Sequence, residues 1–215
     1  MATNADREEQ RRRRRTRMEE MDRLQQRLRE QYDVAGLIGL LNSGDTDTVR
    51  AASLVLGDHG DASAVPALLT LLRTSNEHWL KDGAALALRD IGDPRAREPL
   101  LREIRDPANA GYTGTLIYAL EPFDVRDAVV ELVQFVCDGE YESAWMAVTV
   151  IRAFPGLLDP PHQRTALTVL ERCLADAAPR RHGRLAHRHV RRADRPSRDR
   201  QRPMDRMNTG REEEP

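Results

Sequence analysis

One eight-residue segment recurs along the chain at a fixed spacing. Leu54-Val55-Leu56-Gly57-Asp58-His59-Gly60-Asp61 returns 32 residues later as Leu86-Ala87-Leu88-Arg89-Asp90-Ile91-Gly92-Asp93. Another 32 residues on stands Tyr118-Ala119-Leu120-Glu121-Pro122-Phe123-Asp124. A fourth copy, Val150-Ile151-Arg152-Ala153-Phe154-Pro155, follows at an offset of 31. Leu56, Leu88, Leu120 and Ile151 keep one position apolar throughout. A period of this length marks a repeat architecture. Each unit is too small to bury its own apolar face, so it must stack on its neighbours.

Each unit reads as two helices. Val49, Ala52, Leu54, Val55 and Leu56 form the first helix of the first complete unit. The Gly60-Asp61 pair ends it, because glycine accepts the left-handed conformation of a helix C-terminus. Val65, Leu68, Leu69, Leu71 and Leu72 then recur at helical spacing. Pro66 falls in the first turn, where its missing N–H leaves no helical bond unmade. The second unit repeats the design with Ala84, Leu86 and Leu88, then Gly92-Asp93-Pro94, then Ala96, Leu100, Leu101 and Ile104. The third has Leu116, Ile117, Ala119 and Leu120 before Val125, Val129, Leu132, Val133 and Val136. The fourth has Ala144, Met146, Val148 and Ile151 before Ala166, Leu167, Val169, Leu170 and Leu174. A half-unit, Val34 to Leu41, precedes them. No alternating β-branched stretch of strand type stands out. Small residues (Ala51, Ala52, Gly83, Ala84, Ala85, Gly114) crowd the first helices and suit close helix approach.

Charge divides the chain in three. The whole carries 34 basic and 35 acidic residues among 215, net −1. Residues 1–31 hold 10 arginines and 7 acids, net +3, and residues 179–215 hold 12 arginines and 6 acids, net +6. The repeat region, 32–178, is net −10. An acidic body with basic ends is neither a uniformly basic nucleic-acid binder nor a simple acidic protein. No apolar run approaches the roughly 20 residues of a membrane helix, so no membrane insertion is expected. The Arg11–Arg15 run has no apolar stretch behind it and does not read as a secretory signal. Two cysteines, Cys137 and Cys173, make no disulfide framework or zinc site and suit a reducing cytoplasm.

Asp45-x-Asp47-x-Val49-Arg50-x-Ala52, followed by Leu54, Gly57, Gly60-Asp61, Ala64, Pro66 and Leu68-Leu69, resembles the HEAT-like repeat of the phycobilisome-lyase type. The resemblance covers roughly residues 33–177 and implies an armadillo-type α-solenoid. It also implies that Asp47 and Arg50 link adjacent units. Lys81-Asp82 replaces Val49-Arg50 in the second unit, and Tyr112-Thr113-Gly114 lacks the pair. Gly114-Thr115-Leu116-Ile117-Tyr118-Ala119-Leu120, with Gly139-x-Tyr141-Glu142, is similar to small bacterial HEAT-repeat proteins. Some relatives of this fold are DNA glycosylases, but a body of net −10 has the wrong sign for a polyanion in the groove. Lyase chemistry is not supported by a few matched scaffold residues.

No catalytic constellation emerges. His59 follows Asp58 in an expected turn, His78 precedes Trp79 at a helix start, and His162 follows Pro160-Pro161. No His-x-x-x-His or Cys-x-x-Cys spacing occurs, and no glycine-rich phosphate loop. Cys137 and Cys173 read as small core residues rather than reactive thiols. No cofactor, metal or catalytic residue is therefore expected, and the protein reads as no enzyme.

The expected binding surface is the concave face lined by second helices. Its exposed positions are Thr70 and Arg73 in the first unit, then Glu98, Arg102 and Arg105 in the second. Arg126, Asp127, Glu131, Gln134 and Asp138 follow in the third. The bland alternative is a solvated helix face. Tyr112, Trp79 and Trp145, expected on first helices, are either interface anchors or packing between layers.

The ends read differently. Residues 6–31 lack Pro and Gly and favour helix. Met18, Met21, Leu28 and Tyr32, with Leu24 beside them, give a partial seam suited to capping the first repeat. Residues 179–215 hold one Leu, one Val, no Ile and no aromatic residue, so disorder is expected. That arginine-rich tail suits either a polyanion tether or electrostatic return to the acidic body. The expected architecture is thus an all-α solenoid of about four HEAT-like hairpins over 32–178, with a helical cap at 1–31. The expected function is a cytoplasmic scaffold or adaptor, regulatory or immunity-like, that binds a protein partner. The alternative is a nucleic-acid-associated protein using its basic N- and C-terminal segments.

Overall fold

The computed structural model of the protein describes residues 4–153 and 159–176. The expectation of a disordered tail at 179–215 lies outside them. Ten α-helices follow one another, with no strand among the described residues. They are α1 (Asn4–Gln31), α2 (Val34–Leu40), α3 (Thr46–His59), α4 (Val65–Thr74) and α5 (His78–Ile91). Then come α6 (Arg97–Arg105), α7 (Gly114–Tyr118), α8 (Val129–Asp138), α9 (Tyr141–Ala153) and α10 (Pro160–Asp176). The architecture is an all-α, HEAT-like solenoid, as the repeat implies.

Local chemistry sets the helix ends. The Asp45 carboxylate accepts the Thr48 N–H at 3.0 Å and starts α3. A bond from the Thr48 hydroxyl, and then this backbone bond, hold the carboxyl below its ordinary acidity range. Gly60 and Gly92 end α3 and α5 with φ of +68° each, a region that side chains disfavour. Asp61 and Asp93 then cap short 3-10 turns that lead into α4 and α6. Asp58 and His59 lie in the last turn of α3 rather than beyond it. The glycine that ends the helix is Gly60, so the helix runs on to His59.

The first helices stack on one another, and each second helix approaches the first helix of the next unit closely: α4 on α5, α6 on α7, α8 on α9. Leu56, Leu88 and Leu120 are completely buried at the shared apolar position, while Ile151 in the last described unit is half-buried. The tightest approach is α3 on α5. A Cβ on Gly57 would lie 2.8 Å from the Ala87 Cα, closer than two carbons can sit. Ala51, Ala52, Ala84, Ala85 and Ala87 are all fully buried around it.

Two elements depart from expectation. The first helix of the third unit, α7, spans only five residues, against 14 in α3 and α5. Ala119 and Leu120 fall in the turn that follows. Pro122 has no N–H to give the Tyr118 carbonyl, and it disfavours helical backbone at Glu121. The chain tightens instead, with Leu120 N–H on Ile117 O at 3.0 Å and Glu121 N–H on Tyr118 O at 3.1 Å. Both apolar side chains still reach the core. The second departure is α1. Leu28 is buried, and Met21 and Leu24 pack on the core, but Met18 and Tyr32 of the expected seam are exposed. At about 1.5 Å per residue, α1 is about 42 Å long and α3 about 21 Å. Only the C-terminal half of α1 has something to cover. Arg29 of α1 pairs with Asp58 at the end of α3.

Candidate protein-binding surfaces

The second-helix stripe is present, and much of its charge is paired across units. Thr70 and Arg73 are exposed on α4, and Glu98, Arg102 and Arg105 on α6. Gln134 and Asp138 are exposed on α8. Arg126 and Asp127 are also exposed but sit in a 3-10 turn before α8, not on the helix. Glu131 was expected to be exposed and is half-buried. Its carboxylate accepts from Arg105 Nε at 3.0 Å and from Arg105 Nη2 at 2.8 Å, so the guanidinium covers it. Asp127 pairs with Arg97, whose Nε also donates to the Asp124 carbonyl at 2.6 Å. Asp124 is bound by Arg126, which holds its carboxyl down at about 2. Two of the acids that give the third unit its negative character are thus neutralised by arginines of α6. The sequence reading missed Arg97. A signal existed: Arg97–Asp127, Arg105–Glu131 and the Arg89–Glu121 pair stand 30, 26 and 32 residues apart, near the repeat period. Exposed ion pairs contribute little stability, so their effect here is to neutralise charge on this face.

The first helices carry a second network at their N-terminal ends. Asp47 of α3 faces Arg17 of α1 at 3.6 Å. Arg50 turns the other way. It donates to the Trp79 carbonyl, and its guanidinium lies 3.5 Å from the centre of the Trp79 ring. It also faces Asp82, whose carboxyl is raised by burial more than Arg50 lowers it. Asp47 and Arg50 therefore each touch a neighbouring helix, and Arg17, the partner of Asp47, also lies over the Trp79 ring, 4.9 Å from its centre. Asp82 reaches Thr115 of α7, and Thr113 and Ser143 share a 2.8 Å hydrogen bond toward α9.

The sequence of part of this stack of two-helix units is matched by a known family model. The model of HEAT repeats fits residues 34–121, from α2 to the turn after α7. Residues 34–121 thus carry HEAT-like repeats. The match is to the repeat as a class, and no curated protein matches the chain. Beyond residue 121, α8, α9 and α10 continue the helical stack.

Within the HEAT stack the aromatic residues take places of their own. Trp79 is the second residue of α5 and Trp145 lies on α9, but Tyr112 sits in the loop before α7 rather than on a helix. Gly111, with φ of +83°, breaks the chain just before it. Tyr112 stacks on His78, with ring centres 3.8 Å apart and planes 8° from parallel. Histidine 162 pairs with Asp159 at the start of α10. Among the described residues, no cluster of His, Cys, Asp or Glu could hold a metal ion. No helix there is long and apolar enough to cross a membrane.

Cys137 of α8 and Cys173 of α10 are half-buried and meet side by side. Burial, then the hydrogen bond with Cys173, pushes the Cys137 thiol up to about 12. A thiol so far above neutrality holds almost no thiolate, the nucleophilic form. In the folded protein Cys137 should resist iodoacetamide at pH 8 while the urea-unfolded chain is alkylated fully, as peptide mass spectrometry would read. Equal labelling in both states would show a reactive thiol instead.

Proposed function

We propose that the protein is a non-catalytic scaffold that binds a protein partner on the second-helix face of its HEAT stack. HEAT repeats are commonly protein-interaction scaffolds and generally non-enzymatic. The observation that carries the reading is the set of cross-unit ion pairs, Arg97–Asp127 and Arg105–Glu131. They join α6 to the third unit across a stack already fixed by buried side chains such as Leu101, Ile104 and Leu132, so little ordering cost falls on binding. Arg73, Gln134 and Asp138 remain exposed on that face as contact residues.

Affinity capture with quantitative mass spectrometry tests this. Glu131 is a poor site for charge reversal because the change would also break its pair with Arg105. Arg73→Glu with Asp138→Lys alters only exposed positions. The double variant should retain its helical circular dichroism and lose the partner by tenfold or more in yield. An unchanged partner set would move the site off this face.

A second reading rests on α1. Its Arg11–Arg15 run is exposed and lies N-terminal to Met21, Leu24 and Leu28, the residues of α1 that pack on the core. Arg13 and Arg15 are paired with Glu9 and Glu19, which reduces the charge offered to a phosphate backbone. Binding to duplex or single-stranded DNA that falls steeply with salt, and vanishes on removing residues 1–17 and 179–215, would establish that reading over the scaffold.

A further inference from the structure

The fold brings the chain's two cysteines together. Cys137 stands near the end of α8 and Cys173 near the end of α10, 36 residues apart in sequence. These are the second helices of consecutive units, and they pack on each other. Both thiols are half-buried at that contact and share a hydrogen bond. The chain has no other cysteine to compete for either sulfur. Two thiols in such contact are one two-electron oxidation away from a disulfide, in which the sulfurs close to about 2.05 Å.

The helix that carries Cys173 has room to close that gap and little else to hold it. Of the 17 residues of α10 only Ala166 is buried. By contrast α6 buries Leu100, Leu101 and Ile104 within nine residues, and α8 buries Val129, Leu132 and Val133 within ten. Leu167 and Leu174 of α10 are exposed. A helix so lightly anchored opens locally at low cost. A covalent bond near its C-terminal end, closing a loop back to α8, restricts the opened chain where packing restricts it least. We propose that Cys137 and Cys173 are a peroxide-sensitive dithiol whose disulfide clamps α10 onto α8.

The two thiols take different parts. Burial, and then the bond with Cys173, push the Cys137 thiol up to about 12, so the first oxidation falls on Cys173. The Cys173 thiolate attacks hydrogen peroxide and the O–O bond breaks. Cys173 becomes a sulfenic acid, and the departing hydroxide takes up the proton that Cys173 released. The Cys137 sulfur then attacks the Cys173 sulfur. The S–S bond forms, the S–O bond breaks, and the second hydroxide leaves with the Cys137 proton as water. Two thiols lose two electrons, and one peroxide gains them to give two waters. A dithiol reductant reverses the bond by exchange. The pair adjoins Asp138 of the second-helix face but requires no partner there, so it stands or falls apart from partner binding.

The test uses the full chain, first reduced and then treated with hydrogen peroxide. Its two free thiols should fall to none by Ellman's reagent in urea, and peptides 127–152 and 173–180 should appear joined in a non-reducing tryptic digest. In the folded protein, tryptic cleavage after Arg164, exposed on α10, should slow about tenfold on oxidation and recover with dithiothreitol. In Cys137→Ser the sulfenic acid on Cys173 should persist and take dimedone, whereas the native chain takes little because Cys137 removes it. Cys137→Ser and Cys173→Ser should each lose the peroxide effect on cleavage, with circular dichroism confirming their fold. Chains joined to one another on a non-reducing gel, at a rate rising with protein concentration, would overturn the internal pair in favour of a bond between two copies. Thiols carried on to sulfinic acid without joining would overturn it outright. A disulfide that leaves cleavage after Arg164 unchanged would overturn the clamp.

Discussion

Replacing Glu103 with alanine should destabilise the protein by about 3–5 kcal/mol, the loss expected when a buried ion pair is broken from one side. Lys81 is only 8% exposed. Its ammonium lies 2.5 Å from Glu103 Oε2 and 3.2 Å from Asn109 Oδ1. Asn109 Nδ2 donates in turn to Glu103, to its carbonyl at 2.8 Å and its carboxylate at 3.0 Å. The cluster ties α5, α6 and the turn before α7 together through one fully enclosed side chain, Asn109, and two nearly enclosed ones, Lys81 and Glu103. Without the carboxylate the ammonium is left in an apolar interior with one amide oxygen for company. Urea unfolding would measure the loss, and at about 2–4 °C per kcal/mol the melting temperature should fall by about 6–20 °C. Lys81→Met combined with Glu103→Leu should recover most of it, because a buried pair replaced by apolar groups is often neutral. A loss under about 1 kcal/mol for Glu103→Ala would mean that the pair behaves as an exposed one.

Leu88→Ala should lose about 2–5 kcal/mol, the usual range for a buried leucine truncated to alanine. Leu88 has no exposed surface and sits between units on both sides. Ile151 holds the matching position in the fourth unit and is half-buried. Ile151→Ala should therefore lose less, since the smaller burial leaves a smaller cavity. Denaturant unfolding of the two variants side by side checks this. Equal losses would contradict a stack in which each unit is stabilised by its immediate neighbours.

The two substitutions differ in how visible they were beforehand. Leu88 announced itself through the 32-residue spacing, and so did the helices, the glycine stops and the order of the units. These features depend on local periodicity, which a single sequence displays. Lys81 gave no such sign. It looked like a polar replacement for Val49, yet its side chain occupies the same interior with a carboxylate brought in from 22 residues away. The binding stripe shows the same division. The helical spacing of α4, α6 and α8 placed Thr70, Arg73, Glu98, Arg102, Arg105, Gln134 and Asp138 on exposed surface. It could not show that Arg105 would cover Glu131, or that Arg97 would claim Asp127. Such pairings depend on the rotation of one unit against the next.

The aromatic residues mark the boundary between the two kinds of information. Trp79, Tyr112 and Trp145 could be singled out by rarity, but their surroundings could not. Tyr112 sits in a loop, because Gly111 and Pro122 leave the third unit only a short first helix. By itself the sequence determined the all-α class, the unit length, the buried leucine spine and the charge of each segment, all of which follow from spacing along the chain. Only the tertiary structure decided which charges are neutralised, which lysine is buried and what each ring touches, because those depend on contacts roughly one repeat apart that close only when the units stack.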